Sequence, residues 1–232
     1  MLDKAVLRWG GLAAMIGAAL GFVFNLLHPR SSAAAAGAMN ELHLVAASNI
    51  WVFVHFMLAW SIAFALVGLV AIGWSYGEGA AASWGRFATA SAIVGVAVTF
   101  ITILVDGPAM KHVAEAMMAG HSPETIAAGT AVSEIAVALF TGTMGSLFGL
   151  TPVLYGIATL NDNRYPSALG YLSIVAGVLG LITASIQYFG GISNLTANIL
   201  FPIASLAFTV WSFAMGWRLW KPEVGVKEPA LT

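Results

Sequence analysis

Ile50–Trp74 reads IWVFVHFMLAWSIAFALVGLVAIGW, an apolar run that holds one histidine and no Asp, Glu, Lys or Arg. A bilayer's hydrocarbon core, roughly 30 Å thick, takes about 20 such residues per helical span. Five more apolar runs are of similar length, most with no charge in their middle: Ala5–Leu27, Trp84–Val105, Glu134–Leu160, Pro166–Tyr188 and Thr196–Trp220. Backbone groups in lipid must be paired within the protein, which leaves helices or a closed barrel. Barrel strands alternate apolar and polar residues, whereas these runs are apolar all round. The expectation is an all-α polytopic membrane protein: residues 1–232 form one domain, a bundle of six transmembrane helices.

Composition agrees. Of 232 residues, 59% are hydrophobic and only 8% charged, against about 25% charged in an ordinary soluble domain. Mean hydropathy is +0.89. The net charge of −1 and the lack of a Lys/Arg-rich block give nucleic acid nothing to bind. The absence of cysteine excludes disulfides, thiolate metal sites and cysteine nucleophiles. Lys4 and Arg8 before the first run resemble a signal-peptide start, but Gly11–Leu27 is longer than the usual h-region of about 7–15 residues. It reads as a retained span.

Cations set the expected orientation. With a cytoplasmic N-terminus, Lys4, Arg8, Arg86, Arg164, Arg218, Lys221 and Lys227 fall inside, and only Arg30 and Lys111 fall outside. That is the positive-inside bias, and it predicts a plasma or inner membrane with both termini cytoplasmic. Trp9, Trp74, Trp84, Trp217 and Trp220, with Tyr76, Tyr165 and Tyr171, would form an aromatic belt on the cytoplasmic side, and Trp51 would mark the other.

Odd-numbered spans open alike, with Gly10-Gly11, Gly85 and Gly170 beside aromatic or leucine residues. Even spans close alike, with Gly73-Trp74, Tyr155-Gly156 and Gly216-Trp217. The pattern suggests three helical hairpins. Gly17-xxx-Gly21 and Gly145-xxx-Gly149 are small-residue surfaces for close helix packing, inside the bundle or in a homo-oligomer. Pro152 and Pro202 are expected to kink spans four and six. In the outer connections, Asn40 is a candidate N-cap for a helix over Glu41–Ala47. Pro108–Ala119 reads as a separate amphipathic segment ending at Gly120. Ser122-Pro123 then restarts a helix, with serine as cap and proline in the first turn.

The chemistry gathers at the outer ends of the spans. All five histidines (His28, His43, His55, His112 and His121) fall there, as do Asn25, Glu41, Asp106, Glu134, Gln187, Asn194 and Asn198. Ordinary interfacial placement accounts for polar groups at span ends, and Glu134 also suits the first turn of a helix. His55 differs, because it lies five residues into its span, roughly 7 Å deep at 1.5 Å per residue. Intramembrane ionisable groups are functional candidates, and Asp106 or Glu134 is the expected partner of His55. The candidate ligand-binding set is His55, Asp106 and Glu134 at the centre, with His28, Arg30, Lys111, His112, Asn25 and Gln187 around it. Met39/His43, Met110/His112 and Met117-Met118/His121 are soft pairs of the kind copper(I) accepts, yet no dense Met/His motif exists. No cofactor or metal is assigned, and no catalytic residue stands out.

Three stretches carry a family likeness: His28-Pro29-Arg30, Glu41-Leu42-His43 through Trp51 and His55, and Asp106-Gly107-Pro108-Ala109-Met110-Lys111. With them the chain resembles uncharacterised six-span bacterial membrane proteins over nearly its whole length. The resemblance implies a six-helix fold and no particular activity. Mitochondrial-carrier, rhomboid-protease, b-type cytochrome and desaturase signatures are missing. The functional expectation is a non-enzymatic membrane protein that binds or passes a small molecule or ion at an outward-facing site between helices. The alternatives are an accessory subunit of a larger membrane complex and a metal- or haem-dependent oxidoreductase using His55.

Overall fold

The computed structural model describes residues 3–29, 37–120, 122–192 and 195–221. Among them are six helices long and apolar enough to cross a membrane: α1 (Lys4–Leu27), α3 (Trp51–Ser75), α4 (Gly79–Gly120), α5 (Pro123–Leu160), α6 (Ser167–Gly190) and α7 (Asn198–Trp220). A short helix, α2 (Gly37–Ala47), lies between the first two. The described residues hold no strand, so the chain is an all-helical integral membrane protein. The helices form a ring in chain order, α1 against α3, α3 against α4 and so on, closed by α7 against α1.

The glycines named above as span openers and closers touch one another in pairs. A Cβ at Gly11 would lie 2.5 Å from the Gly216 carbonyl oxygen, and one at Gly216 would lie 2.6 Å from that of Gly11. Gly73 and Gly85 are similarly reciprocal, at 3.0 and 2.8 Å, as are Gly156 and Gly170, at 2.7 and 3.1 Å. The pairing therefore joins α3 to α4, α5 to α6, and α7 back to α1. Three backbone crossings, one per short connection and one at the chain ends, gather that end of the bundle. Lipid supplies no hydrophobic drive between helices, so such close contacts of small residues hold them together.

The same end is latched by its two loops. The Arg164 guanidinium donates to the Ser75 carbonyl at 2.7 Å and to Asp162 Oδ2 at 2.6 Å. Tyr165 and Ser75 share a hydroxyl hydrogen bond of 2.7 Å, and Tyr76 and Thr159 share one of 2.8 Å. Burial works against ionising Asp162, but its hydrogen bonds with Arg164 prevail and hold the carboxyl below its ordinary range. Tyr76 and Tyr165 are thus buried in the latch rather than standing in an aromatic belt. Trp9, Trp74 and Trp217 are exposed at this end, as a belt requires. Trp51 is a further correction: only 2% exposed, it packs inside the opposite end because its indole finds a carbonyl there. A core of Leu69, Ile72, Leu147, Tyr155, Phe208, Trp211 and Met215 fills the bundle above the latch.

Gly17 packs on Ser61 and Ala65, and Gly149 on Leu181, so both small-residue surfaces serve contacts within the bundle. The prolines do not simply kink their helices. Pro108 lies inside a π turn, Val105–Ala109, and Pro152 and Pro202 each follow one, Ser146–Leu150 and Thr196–Leu200. A proline has no N–H and crowds the carbonyl four residues back, and the wider π turn absorbs that mismatch. The Phe148 carbonyl, four residues before Pro152, lies against Gly180 of α6, where a Cβ would collide with it.

Two expectations need correcting. Pro108–Ala119 is not a separate segment, because α4 continues through the π turn to Gly120. Asn40 does not cap α2, which already begins at Gly37 in a stretch of helix formers. Ser122 does cap α5, accepting from the Thr125 N–H, with Pro123 in the first turn. At 42 and 38 residues, α4 and α5 are each roughly 60 Å long and project past the hydrocarbon. With α2 they build a cap whose core is Leu42, Val45, Trp51, Met110, Ala114, Met117 and Ala136.

Candidate functional site

Between the latched core and the cap lies a cavity of about 770 Å³. Its position follows from the α1–α7 crossing. On α7, Asn198, Pro202, Ser205, Thr209 and Ser212 line the cavity and continue at helical spacing to Gly216, the contact with α1. On α1, Ala18, Phe22 and Asn25 line it on the face that Gly11 turns toward α7, and Pro29 lines it just past the helix end. The faces that touch at the crossing separate above it, as the arms of a V. Phe22 and Leu206, on opposite arms, are 43% and 48% exposed. For most of its depth the wall is apolar, with Leu69, Ile103, Phe140, Leu147 and Phe208 among its residues.

Polar side chains converge at the cap end. Pro29 disfavours helical backbone at the residue before it, so α1 stops at Leu27 and His28 takes an extended conformation. Its Nδ1 lies 2.9 Å from the Pro29 carbonyl oxygen. His55, 2% exposed on α3, sets its Nδ1 2.8 Å from the Trp51 carbonyl, one turn back. Asp106 comes from the π turn of α4. There the Met110 N–H bonds Val105 and Gly107 instead of the Asp106 carbonyl four residues back. That carbonyl accepts the Trp51 indole N–H at 2.7 Å. Gly107 lets α4 approach, since a Cβ there would sit 2.7 Å from His55 Cβ.

Three side-chain atoms meet as a result. His55 Nε2 is 3.0 Å from Asp106 Oδ2, His28 Nε2 is 3.3 Å from His55 Nε2, and His28 Nε2 is 3.9 Å from Asp106 Oδ2. The rings of His28, Trp51 and His55 form a triangle with centroids 4.8–4.9 Å apart. A backbone carbonyl only accepts, so each Nδ1 carries the ring proton and each Nε2 presents a lone pair in the neutral imidazole. The trio is therefore three electron-pair donors facing one another. Among the described residues it is the group of three His, Asp or Glu side chains close enough together to hold a metal ion.

Across the cavity mouth, Glu41 of α2 accepts a 2.9 Å hydrogen bond from the Ser133 hydroxyl. Burial raises the Glu41 carboxyl above its ordinary range, partly offset by that bond. Both residues line the cavity, as do Asn25 and the exposed Glu134. The expected partner of His55 is thus Asp106 rather than Glu134. Other expected members lie elsewhere. Lys111 donates to the carbonyls of Val45, Ala46 and Ser48 at 3.0, 2.8 and 2.9 Å, closing the end of α2. His112 is exposed and does not line the cavity. Gln187 is buried in α6 away from the cavity wall, and its amide has no hydrogen-bond partner among the described residues. Arg30, His121, Asn194 and Lys227 lie outside the described residues. Glu41, Ser133 and Trp51 join the site without having been singled out for it, although Glu41 and Trp51 share the cap-end clustering that marked His55.

Comparison with protein-family models, curated proteins and solved structures found no match.

Proposed function

We propose that this membrane protein binds an amphiphilic small molecule in the cavity between α1 and α7. Its polar end would sit at His28, His55 and Asp106, and its apolar part along the wall toward Leu69 and Phe208. One observation carries the reading: a single cavity of about 770 Å³ is apolar for most of its length and ends at the cluster. Ligand sites typically pair an apolar lining with a few convergent polar groups. The accessory-subunit alternative would have the polar rim splay toward water and lipid, whereas His28, His55 and Asp106 turn toward one another. In this reading the cap end faces away from the cytoplasm, both termini are cytoplasmic, and the membrane is the plasma or inner membrane. The likeness to six-span bacterial membrane proteins belongs to the same proposal.

The test is mass spectrometry of organic extracts from protein purified in detergent without added ligand, alongside Ser205→Trp. The indole would occupy the cavity wall of α7. An amphiphile that accompanies the parent protein and is depleted from Ser205→Trp supports the proposal. Equal recovery from both, or from neither, refutes it.

A further inference from the structure

We infer that His28, His55 and Asp106 form a binding site for one divalent transition-metal ion of the zinc type, with a coordination position open to the cavity. The donor atoms require something positive between them. Both Nδ1 atoms are committed as donors to the carbonyls of Pro29 and Trp51. With both rings neutral, two imidazole lone pairs and a carboxylate oxygen then stand 3.0–3.9 Å apart, an arrangement that a proton or a metal ion would satisfy. A metal ion resolves that arrangement directly.

The spacing fits as well. Ligands about 2.0–2.1 Å from a tetrahedral zinc ion stand roughly 3.3 Å from each other, and the three separations here scatter about that value. The surroundings are those of a ligand shell. Histidine ligands characteristically donate their other ring N–H to a backbone carbonyl, which fixes tautomer and ring plane, and both rings do so. Imidazole with carboxylate suits borderline ions such as Zn²⁺, Co²⁺ or Fe²⁺ rather than Mg²⁺ or Ca²⁺. Three protein ligands leave a fourth position for an exogenous one. All three residues line the cavity, so the fourth ligand would come from there. This last step rests on the amphiphile reading and makes the head group an oxygen-bearing, metal-ligating one. The metal site itself does not depend on it.

The experiment uses full-length protein in detergent, stripped with chelator and titrated calorimetrically with ZnCl₂, with CoCl₂ as an optical probe. The expected result is one zinc per chain and the intense visible absorption of four-coordinate cobalt. His28→Ala and Asp106→Asn should each weaken zinc by at least about 100-fold, since loss of an outer-shell partner alone costs about 10–100-fold. His43→Ala and His112→Ala, which alter exposed histidines, should bind as the parent does. No zinc in the parent overturns the inference. So does equal binding by His28→Ala and Asp106→Asn, or only the weak spectrum of six-coordinate cobalt. The cobalt spectrum needs no variant, so misfolding of a variant leaves the test intact. Ser205→Trp separates the two proposals: it should lose the amphiphile and keep zinc. Zinc failure with the amphiphile retained refutes the metal site alone.

Discussion

Replacing Gly216 by alanine probes the crossing from which the cavity opens. The new Cβ would lie 2.6 Å from the Gly11 carbonyl oxygen, 2.9 Å from Ala14 Cβ and 3.1 Å from Met15 Cγ. The first two cannot swing aside, being a backbone atom and a Cβ. Restoring an ordinary 3.4 Å contact with the carbonyl means parting α1 and α7 by about 0.8 Å at their closest point. Overpacking of this kind costs about 1–3 kcal/mol, and alanine's better helix propensity returns up to about 1 kcal/mol. A net loss of about 1–2 kcal/mol is expected. For a chain of this length each kcal/mol moves the Tm by roughly 2–4 °C, so the expected drop is about 2–8 °C. Thermal unfolding in detergent, followed by tryptophan fluorescence, reads it well, because Trp9 and Trp220 meet edge to face beside the crossing at 6.2 Å. Gly120→Ala is the control, since no atom of the described residues beyond its chain neighbours lies within 4 Å of a Cβ there. It should be neutral or slightly stabilising. A Gly216→Ala protein as stable as its parent, or an equal loss in Gly120→Ala, would refute the crossing argument.

Gln187→Met should raise stability by about 1 kcal/mol, because it replaces a buried amide that has no partner among the described residues by an apolar group of similar length; a lower Tm would mean that the amide is satisfied. Glu41 gives a pH-dependent signal of defined sign. Burial places its folded pKa above the ordinary 4.5, so its contribution to stability is full below pH 4.5 and is lost as pH rises through the folded value. Glu41→Gln should flatten the curve of Tm against pH on the alkaline side of 4.5, and an unchanged curve would count against the buried carboxyl.

The spans were legible because a bilayer reads composition over a window, and Ile50–Trp74 needs no tertiary contact to be recognised. His55 and Asp106 were legible as partners because depth in a span makes an ionisable group costly unless it is paired. His28 reads from the sequence only as one of the residues around that centre. Its entry into the trio depends on Pro29 ending α1 and turning the ring back, a local event whose outcome depends on the neighbouring helix. Lys111 misled for the opposite reason. A cation at the outer side invites a ligand, but the carbonyls it serves belong to the end of α2, 63–66 residues away in sequence. The glycine repeats showed that span ends are alike. They did not show which end meets which, since a close backbone contact is a property of the pair.

The hydrogen bonding of the cavity wall bears on which way round an occupant would lie. Ser61, Thr99, Thr102 and Ser205 all line the cavity, and each donates its hydroxyl hydrogen to a helix carbonyl. These side chains are satisfied without a ligand, so an apolar chain lying against them leaves no donor stranded. The trio at the cap end is different, because its two Nε2 atoms and its carboxylate want a proton or a cation. The cap end thus holds the ionisable part of the lining, while Thr209 and Ser212 put two further hydroxyls on the wall toward the crossing. Under the proposed reading, a molecule with one ligating head and an apolar body matches this distribution.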